Sequence, residues 1–170
     1  PIAHIHGGEI TEGAVDEQIR HSITKMSYLH FCSTETYRQR IIQMGEDPAR
    51  VFNSGAPGID NIKNLNLLTK KILEKELNWK LTSKSALFTY HPVTLKNNNI
   101  SNDIEAILSI LEKFDFNILF TYANADSGGR FINQKIEEFC KIQPAKYKVV
   151  KSLGQVKYLS AMKYVDLLIG

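Results

Sequence analysis

The sequence predicts an α/β protein with parallel strands in two Rossmann-like domains, and three observations carry that prediction. Short apolar runs alternate with stretches of helical spacing along almost the whole chain. A strand with its following helix recurs about every 30 residues, the size of a βαβ unit, and such crossovers are right-handed and build parallel sheets. The alternation breaks once, over 67–85, where a Lys- and Asn-rich stretch predicts a helix and linker between a first domain over 1–66 and a second over 86–170.

Each element follows from local pattern. In the first domain 2–5, 28–32 and 51–53 read as strands. Between them, Val15, Ile19, Ile23 and Met26 give helical spacing over 14–26, and 34–44 reads as a second helix. Another helix starts after Pro57, with Gly55 to Gly58 shaping the turn into it. Leu67, Leu68, Ile72 and Leu73 form the helical part of the linker. In the second domain the strands are 86–90, 118–122, 147–150 and 165–169. The first intervening helix is expected to take Asn102 as N-cap, with Glu105 three residues on, and to bury Ile104, Ile107, Leu108 and Leu111. Further helices cover 130–141 and 155–163, while Asn97-Asn98-Asn99 reads as a loop tip. No G-x-G-x-x-G follows a strand, so a dinucleotide-binding fingerprint is absent.

Composition narrows the function classes. The 170 residues are 43% hydrophobic and 23% charged, enough for a sizeable core. The net charge of +3 comes from scattered lysines, closest at Lys70-Lys71-Lys75 and Lys80-Lys84, a solvated face rather than the basic stripe of a nucleic-acid reader. No apolar run approaches the roughly 20 residues of a membrane helix. Cys32 and Cys140 lie far apart without CxxC spacing, which fits a reducing cytoplasm.

Chemistry concentrates between His4 and His21, where histidines, carboxylates and an arginine surround Gly7-Gly8. Loops leaving the carboxyl ends of parallel strands line the ligand crevice, so His6, Glu9 and Glu12 are expected in or beside a site. Asp16 and Arg20, four apart, share a helix face; Glu17 and His21 share the adjacent one. His4-Ile5-His6 puts two imidazoles on one side of a strand, like the opening pair of some metal hydrolases. Such sites need ligands from later strands, and beyond His21 and His30 only His91 remains, so no metal is expected. His30 lies mid-strand and reads as structural. In the second domain His91 stands where a strand gives way to a loop before Pro92, and a histidine there can donate to a phosphate oxygen. The stretch Asn124 to Gly129 follows the next strand with small and polar residues whose backbone amides suit a phosphate or sugar.

The segment HIHGGEITEGAVDEQIRHSITKMSYLHFCSTETYRQRIIQMGEDPARVFNSGAPGIDNI, followed in order by His91-Pro92-Val93-Thr94 and by Tyr122 to Gly129, closely resembles the hydrolysing UDP-N-acetylglucosamine 2-epimerases of sialic acid and legionaminic acid biosynthesis. The pattern around Glu9 and Asp16 to His21 is closer to that branch than to the nonhydrolysing epimerases. Family members extend beyond this chain, so the resemblance implies an internal fragment, with both domains incomplete and little or no turnover on its own. It further implies a glycosyltransferase-B-like architecture, two domains facing each other across a cleft, no cofactor, a cytoplasmic enzyme and a homo-oligomer at full length. Nucleic acid and membranes are not expected partners; a UDP-sugar is.

The implied reaction removes the C2 proton with departure of UDP, then adds water to the glycal to release the 2-epimeric sugar. Glu9 and Asp16 match acidic positions of the family's site and are the candidates for proton transfer. Arg20 or His21 would orient a carboxylate or contact the sugar, and His6 would set the local hydrogen bonds. His91 would contact the diphosphate and Asn124 the nucleotide sugar. The loop 151–155 would meet uracil mainly through backbone groups, which makes Ser152 and Leu153 contacts, with Ser152 standing where human-type relatives carry histidine. Left open are UDP-N,N'-diacetylbacillosamine as the substrate, a glycosyltransferase-B-type transferase, and a non-catalytic nucleotide-sugar-binding module.

Overall fold

The computed structural model describes residues 1–12, 14–91, 100–124 and 128–170, with only the helical backbone at 100–101. Its described residues separate into a first unit over Pro1–Leu65 and a second over 66–91, 100–124 and 128–170. Both are parallel α/β.

In the first unit, strands β1 (Ala3–Ile5), β2 (Leu29–Cys32) and β3 (Val51–Asn53) lie in the order β1-β2-β3. They alternate with helices α1 (Asp16–Met26), α2 (Glu35–Gln43) and α3 (Pro57–Asn64). The register pairs His4 with His30 and Ile5 with Phe31. Thr34 caps α2 by accepting from the Tyr37 amide, whereas α1 starts without a side-chain cap and instead places Asp16 and Glu17 in its first turn. Those carboxylates meet the positive end of the helix dipole. Cys32, Ile41 and Val51 form the apolar core, with Tyr37 and Ile42 against it.

The second unit holds α4 (Lys70–Leu77), β4 (Ser85–Phe88), α5 (Ile100–Leu111), β5 (Asn117–Thr121), α6 (Gly129–Ile142), β6 (Tyr147–Val150), α7 (Gly154–Tyr164) and β7 (Leu167–Ile169). Its sheet runs β6-β5-β4-β7. Both central strands are buried along their length. Ala86, Phe88, Ile118 and Phe120 point to one core, Leu87 and Leu119 to the other. A strand covered on both faces reads as a continuous apolar run, which is why the periodicity of two was hidden inside β4 and β5. The strand order reverses at β4, and in open α/β sheets ligands bind at the carboxyl ends of the strands where it does.

Two expectations need correction. The helix within 67–85 is not a linker element: Leu73 and Leu77 of α4 belong to a core of the second unit, and the helix packs on α7. Its amphipathic face needs a partner, and the second sheet supplies one. Asn102 is not an N-cap, because α5 begins at Ile100. Ile100 stands four residues before Ile104 and extends the apolar period backwards past the capping signal. The Asn97–Asn99 loop, Pro92 to Thr94 and Ala125 to Ser127 lie outside the described residues.

Candidate active site

In the first unit the chain leaves β1 through a tight turn. His6 takes a left-handed conformation with φ 65° and Gly8 one with φ 78°. At Gly8 a side chain would collide with the Tyr37 carbonyl oxygen, so the loop lies directly on α2. Arg40 fastens it there by donating to the Gly8 carbonyl at 2.7 Å. From the other side Arg20 of α1 donates to the Glu9 carbonyl at 3.0 Å and to Thr11 Oγ1 at 3.0 Å. Two arginines from two helices therefore fix the backbone on either side of Glu9.

The Glu9 side chain is held as firmly. His6 Nδ1 lies 2.6 Å from Glu9 Oε1, and Ser33, the first residue beyond β2, donates its hydroxyl to the same oxygen at 3.1 Å. Burial pushes the Glu9 carboxyl up, but the hydrogen bonds from His6 and Ser33, with the charges of His6 and Arg20, outweigh it and hold the group below its ordinary value. Glu9 is thus a partly buried carboxylate kept ionised. It lines a groove of about 210 Å³ together with His4, His6, Asp16 and Arg20. Asp16 is exposed there.

Of the two pairs expected from helical spacing, Glu17 with His21 forms and Asp16 with Arg20 does not. Arg20 meets Glu17 at 3.3 Å rather than Asp16, since the loop carbonyl and Thr11 draw its guanidinium across the helix. His21 Nε2 approaches Glu17 Oε1 at 3.3 Å without hydrogen-bond alignment, and it does not line the groove. His4 and His6 also part company. His4 is buried and bonds Thr24, whose hydroxyl donates to the Arg20 carbonyl, so His4 Nδ1 carries the proton. Burial first, then the neighbouring His30, lowers its pKa. His30 is fully buried beside Glu46 at 3.3 Å, and Glu46 in turn takes Lys25 at 2.5 Å. Among the described residues no group of histidines, cysteines and carboxylates is arranged to hold a metal ion.

In the second unit His91 follows β4, the strand at which the sheet order reverses. Its Nδ1 accepts the Asn124 backbone amide at 3.3 Å, which in the neutral imidazole leaves Nε2–H as a donor for an anion. Asn124 is placed by its neighbour: the Asn133 amide bonds both the N–H and the C=O of Ala123, at 2.8 and 3.3 Å. Gly129 opens α6 so close to the Asn124 carbonyl that any side chain would strike it. Thr89 and Thr121 hydroxyls meet at 2.8 Å at the ends of β4 and β5, with Tyr158 Oη at 3.4 Å from Thr89. The third loop carries two further candidate residues, Ser152 and Leu153. Leu153 is buried in the core, and the Ser152 hydroxyl accepts the amide of Gly154, the first residue of α7, at 3.2 Å.

The structure brings His6, Glu9, Asp16 and Arg20, each singled out in the sequence, to one groove, and sets His91 against the Asn124 amide, a contact the sequence did not indicate. Sequence reasoning missed Ser33, Thr11, Arg40, Asn133, the Thr89 and Thr121 hydroxyls at the ends of β4 and β5, and the Tyr158 hydroxyl of α7. Position carried the signal for Ser33, which stands at the carboxyl end of a parallel strand.

The profile of the UDP-N-acetylglucosamine 2-epimerase family matches residues 1–170. The chain belongs to that family. It is 46% identical over 171 residues to a hydrolysing GDP/UDP-N,N'-diacetylbacillosamine 2-epimerase of Campylobacter jejuni, covering 100% of this chain and 44% of the relative. It is 41% identical to the polysialic acid biosynthesis protein P7 of Escherichia coli, covering 100% of this chain and 43% of that protein. The chain therefore spans less than half the length of these relatives. Among solved structures, the UDP-N-acetylglucosamine 2-epimerase of Neisseria meningitidis bound to UDP-N-acetylglucosamine superposes with a TM-score of 0.76 at 18% identity, over 99% of this chain and 47% of that one. That likeness places this epimerase-family chain in the same glycosyltransferase-B-like α/β fold class.

Proposed function

We propose that the full-length protein is a hydrolysing 2-epimerase of a UDP-linked 2-acetamido sugar, with UDP-N-acetylglucosamine as substrate and UDP and N-acetylmannosamine as products. The carrying observation is Glu9, an ionised carboxylate fixed by His6, Ser33 and two arginine-braced carbonyls at the edge of a groove that also presents Asp16. In the first stage the C2–H bond breaks and its proton passes to a carboxylate. The electron pair forms the C1=C2 double bond while the C1–O bond breaks and UDP leaves with its electrons. In the second stage water adds, hydroxyl to C1 and proton to C2, giving the free epimeric sugar.

A C2 proton is weakly acidic, so the base must be ionised at working pH and held within hydrogen-bond reach. Glu9 meets the first condition and is the proposed base. Asp16, exposed on the same groove, is the second proton-transfer group. The second unit supplies anion binding: the His91 Nε2–H suits the diphosphate, whose departure needs positive or donor groups. Ser152 and Leu153 would meet the uracil through their backbone. We assign the protein to the cytoplasm and, at full length, to a homo-oligomer, on the family resemblance alone.

The 46% identity to the Campylobacter protein favours a second reading, in which the same reaction acts on UDP-N,N'-diacetylbacillosamine in a legionaminic acid route. Supplying the full-length protein with each nucleotide sugar separately and identifying the released sugar decides between them. N-acetylmannosamine with UDP supports the first reading; turnover of the diacetylbacillosamine nucleotide alone moves the assignment to the second. Silence with both sinks the hydrolysing-epimerase reading in favour of a transferase or a binding module.

A further inference from the structure

We infer that Ser33 is a positioning residue for proton transfer, and that it fixes which oxygen of Glu9 reacts. Both side-chain donors to Glu9, the His6 imidazole and the Ser33 hydroxyl, end on Oε1. Oε2 takes no hydrogen bond from the described residues, so it is the oxygen left with both lone pairs for a substrate proton. Ser33 does not line the groove. It stands behind Glu9, at the carboxyl end of β2, and its sequence distance of 24 residues lets the strand beside β1 set the orientation of a loop carboxylate.

Two donors on one oxygen do more than one. His6 sits on the same loop as Glu9, three residues away, and would move with it. Ser33 directly follows a strand hydrogen-bonded into the sheet, and is half-buried. The serine therefore ties the carboxylate to the rigid part of the unit. A carboxylate rotated about its terminal torsion by loss of that tie would still be ionised and still bind His6, but Oε2 would no longer be aimed at one point.

This inference rests on Glu9 being the base of the proposed reaction, and the test separates the two. In the full-length protein, Ser33→Ala is expected to lower kcat by about 10- to 100-fold, the usual consequence of a reacting group misplaced by an ångström, with KM changed little. The acidic limb of its kcat/KM profile moves to higher pH, because Glu9 loses a donor to its ionised form. Ser33→Thr keeps a hydroxyl and restores both. A carbon-13 NMR titration of the Glu9 carboxyl in substrate-free protein gives the same upward displacement independently of turnover, and Ser33→Cys, with a weaker donor of similar size, falls between. An unmoved acidic limb and unchanged kcat in Ser33→Ala, with Glu9→Gln inactive, would overturn the role of Ser33 while leaving Glu9 in place. Wild-type turnover by Glu9→Gln would remove Glu9 as base and this inference with it.

Discussion

Glu46 shows how a single carboxylate holds the first unit together without touching the groove. Its side chain is only 10% exposed and it lies between Lys25 and the fully buried His30. The hydrogen bond from Lys25 leads in pulling its pKa down, against the opposing effect of burial. Glu46→Gln removes the charge that both partners face and should cost about 1–3 kcal/mol, read as a lower urea midpoint with unchanged slope. An unchanged midpoint would show the cluster to be idle. The sign with pH follows from the same group. Glu9 and Glu46 both have folded values below the ordinary 4.5, so their stabilisation is present above that pH and is lost as pH falls through the folded values. His4, also depressed, stabilises fully above its unfolded value of 6.5 and loses that contribution as pH falls below it. Stability measured downward from neutral pH should therefore fall in two stages, the histidine stage first.

At the scale of elements, the loop from β1 to α1 is the part whose geometry is least negotiable. Gly8 and Gly55 both sit at positive φ, 78° and 77°, but only Gly8 has the Tyr37 carbonyl where a side chain would go, while nothing lies within 4 Å of Gly55. Gly8→Ala should therefore destabilise by more than the roughly 1 kcal/mol of left-handed strain expected for Gly55→Ala, and should lower turnover as well by displacing Glu9. Thermal midpoints of the two variants, measured side by side, check this; equal losses would contradict it. The elements themselves were largely legible in sequence, because strands such as β3 and β6 are bounded by clear breaks in the apolar pattern. What periodicity could not show was contact between distant segments. Arg20 and Asp16 share spacing on α1, yet Arg20 turns to the Glu9 carbonyl eleven residues away. Ser33 and Arg40 reach the loop from another strand and helix, and no local pattern encodes that. The packing of α4 on α7 was hidden for the same reason: an amphipathic helix announces a buried face but not its partner.

For the molecule as a whole, the proposed reaction would divide its labour between the two units. The first carries a fixed carboxylate, the second a histidine whose tautomer is set for donating to an anion. His91→Ala in the full-length protein should weaken UDP binding by about 1.5–3 kcal/mol, the range for a hydrogen bond to a charged group, without abolishing the fold. Calorimetric titration with UDP reads it, and unaltered affinity would remove His91 from the nucleotide site. Because the chain covers 44% of its Campylobacter relative, the isolated 170 residues should show little or no turnover even if they bind UDP. The measurement that bears most directly on the central claim is proton NMR of the full-length protein and its Glu9→Gln variant, each supplied with the accepted UDP-sugar in heavy water. The account predicts a wild-type product carrying deuterium at C2, and a variant slowed by on the order of 100-fold or more. A product that keeps its original C2 proton, or a variant that turns over at the wild-type rate, would contradict it.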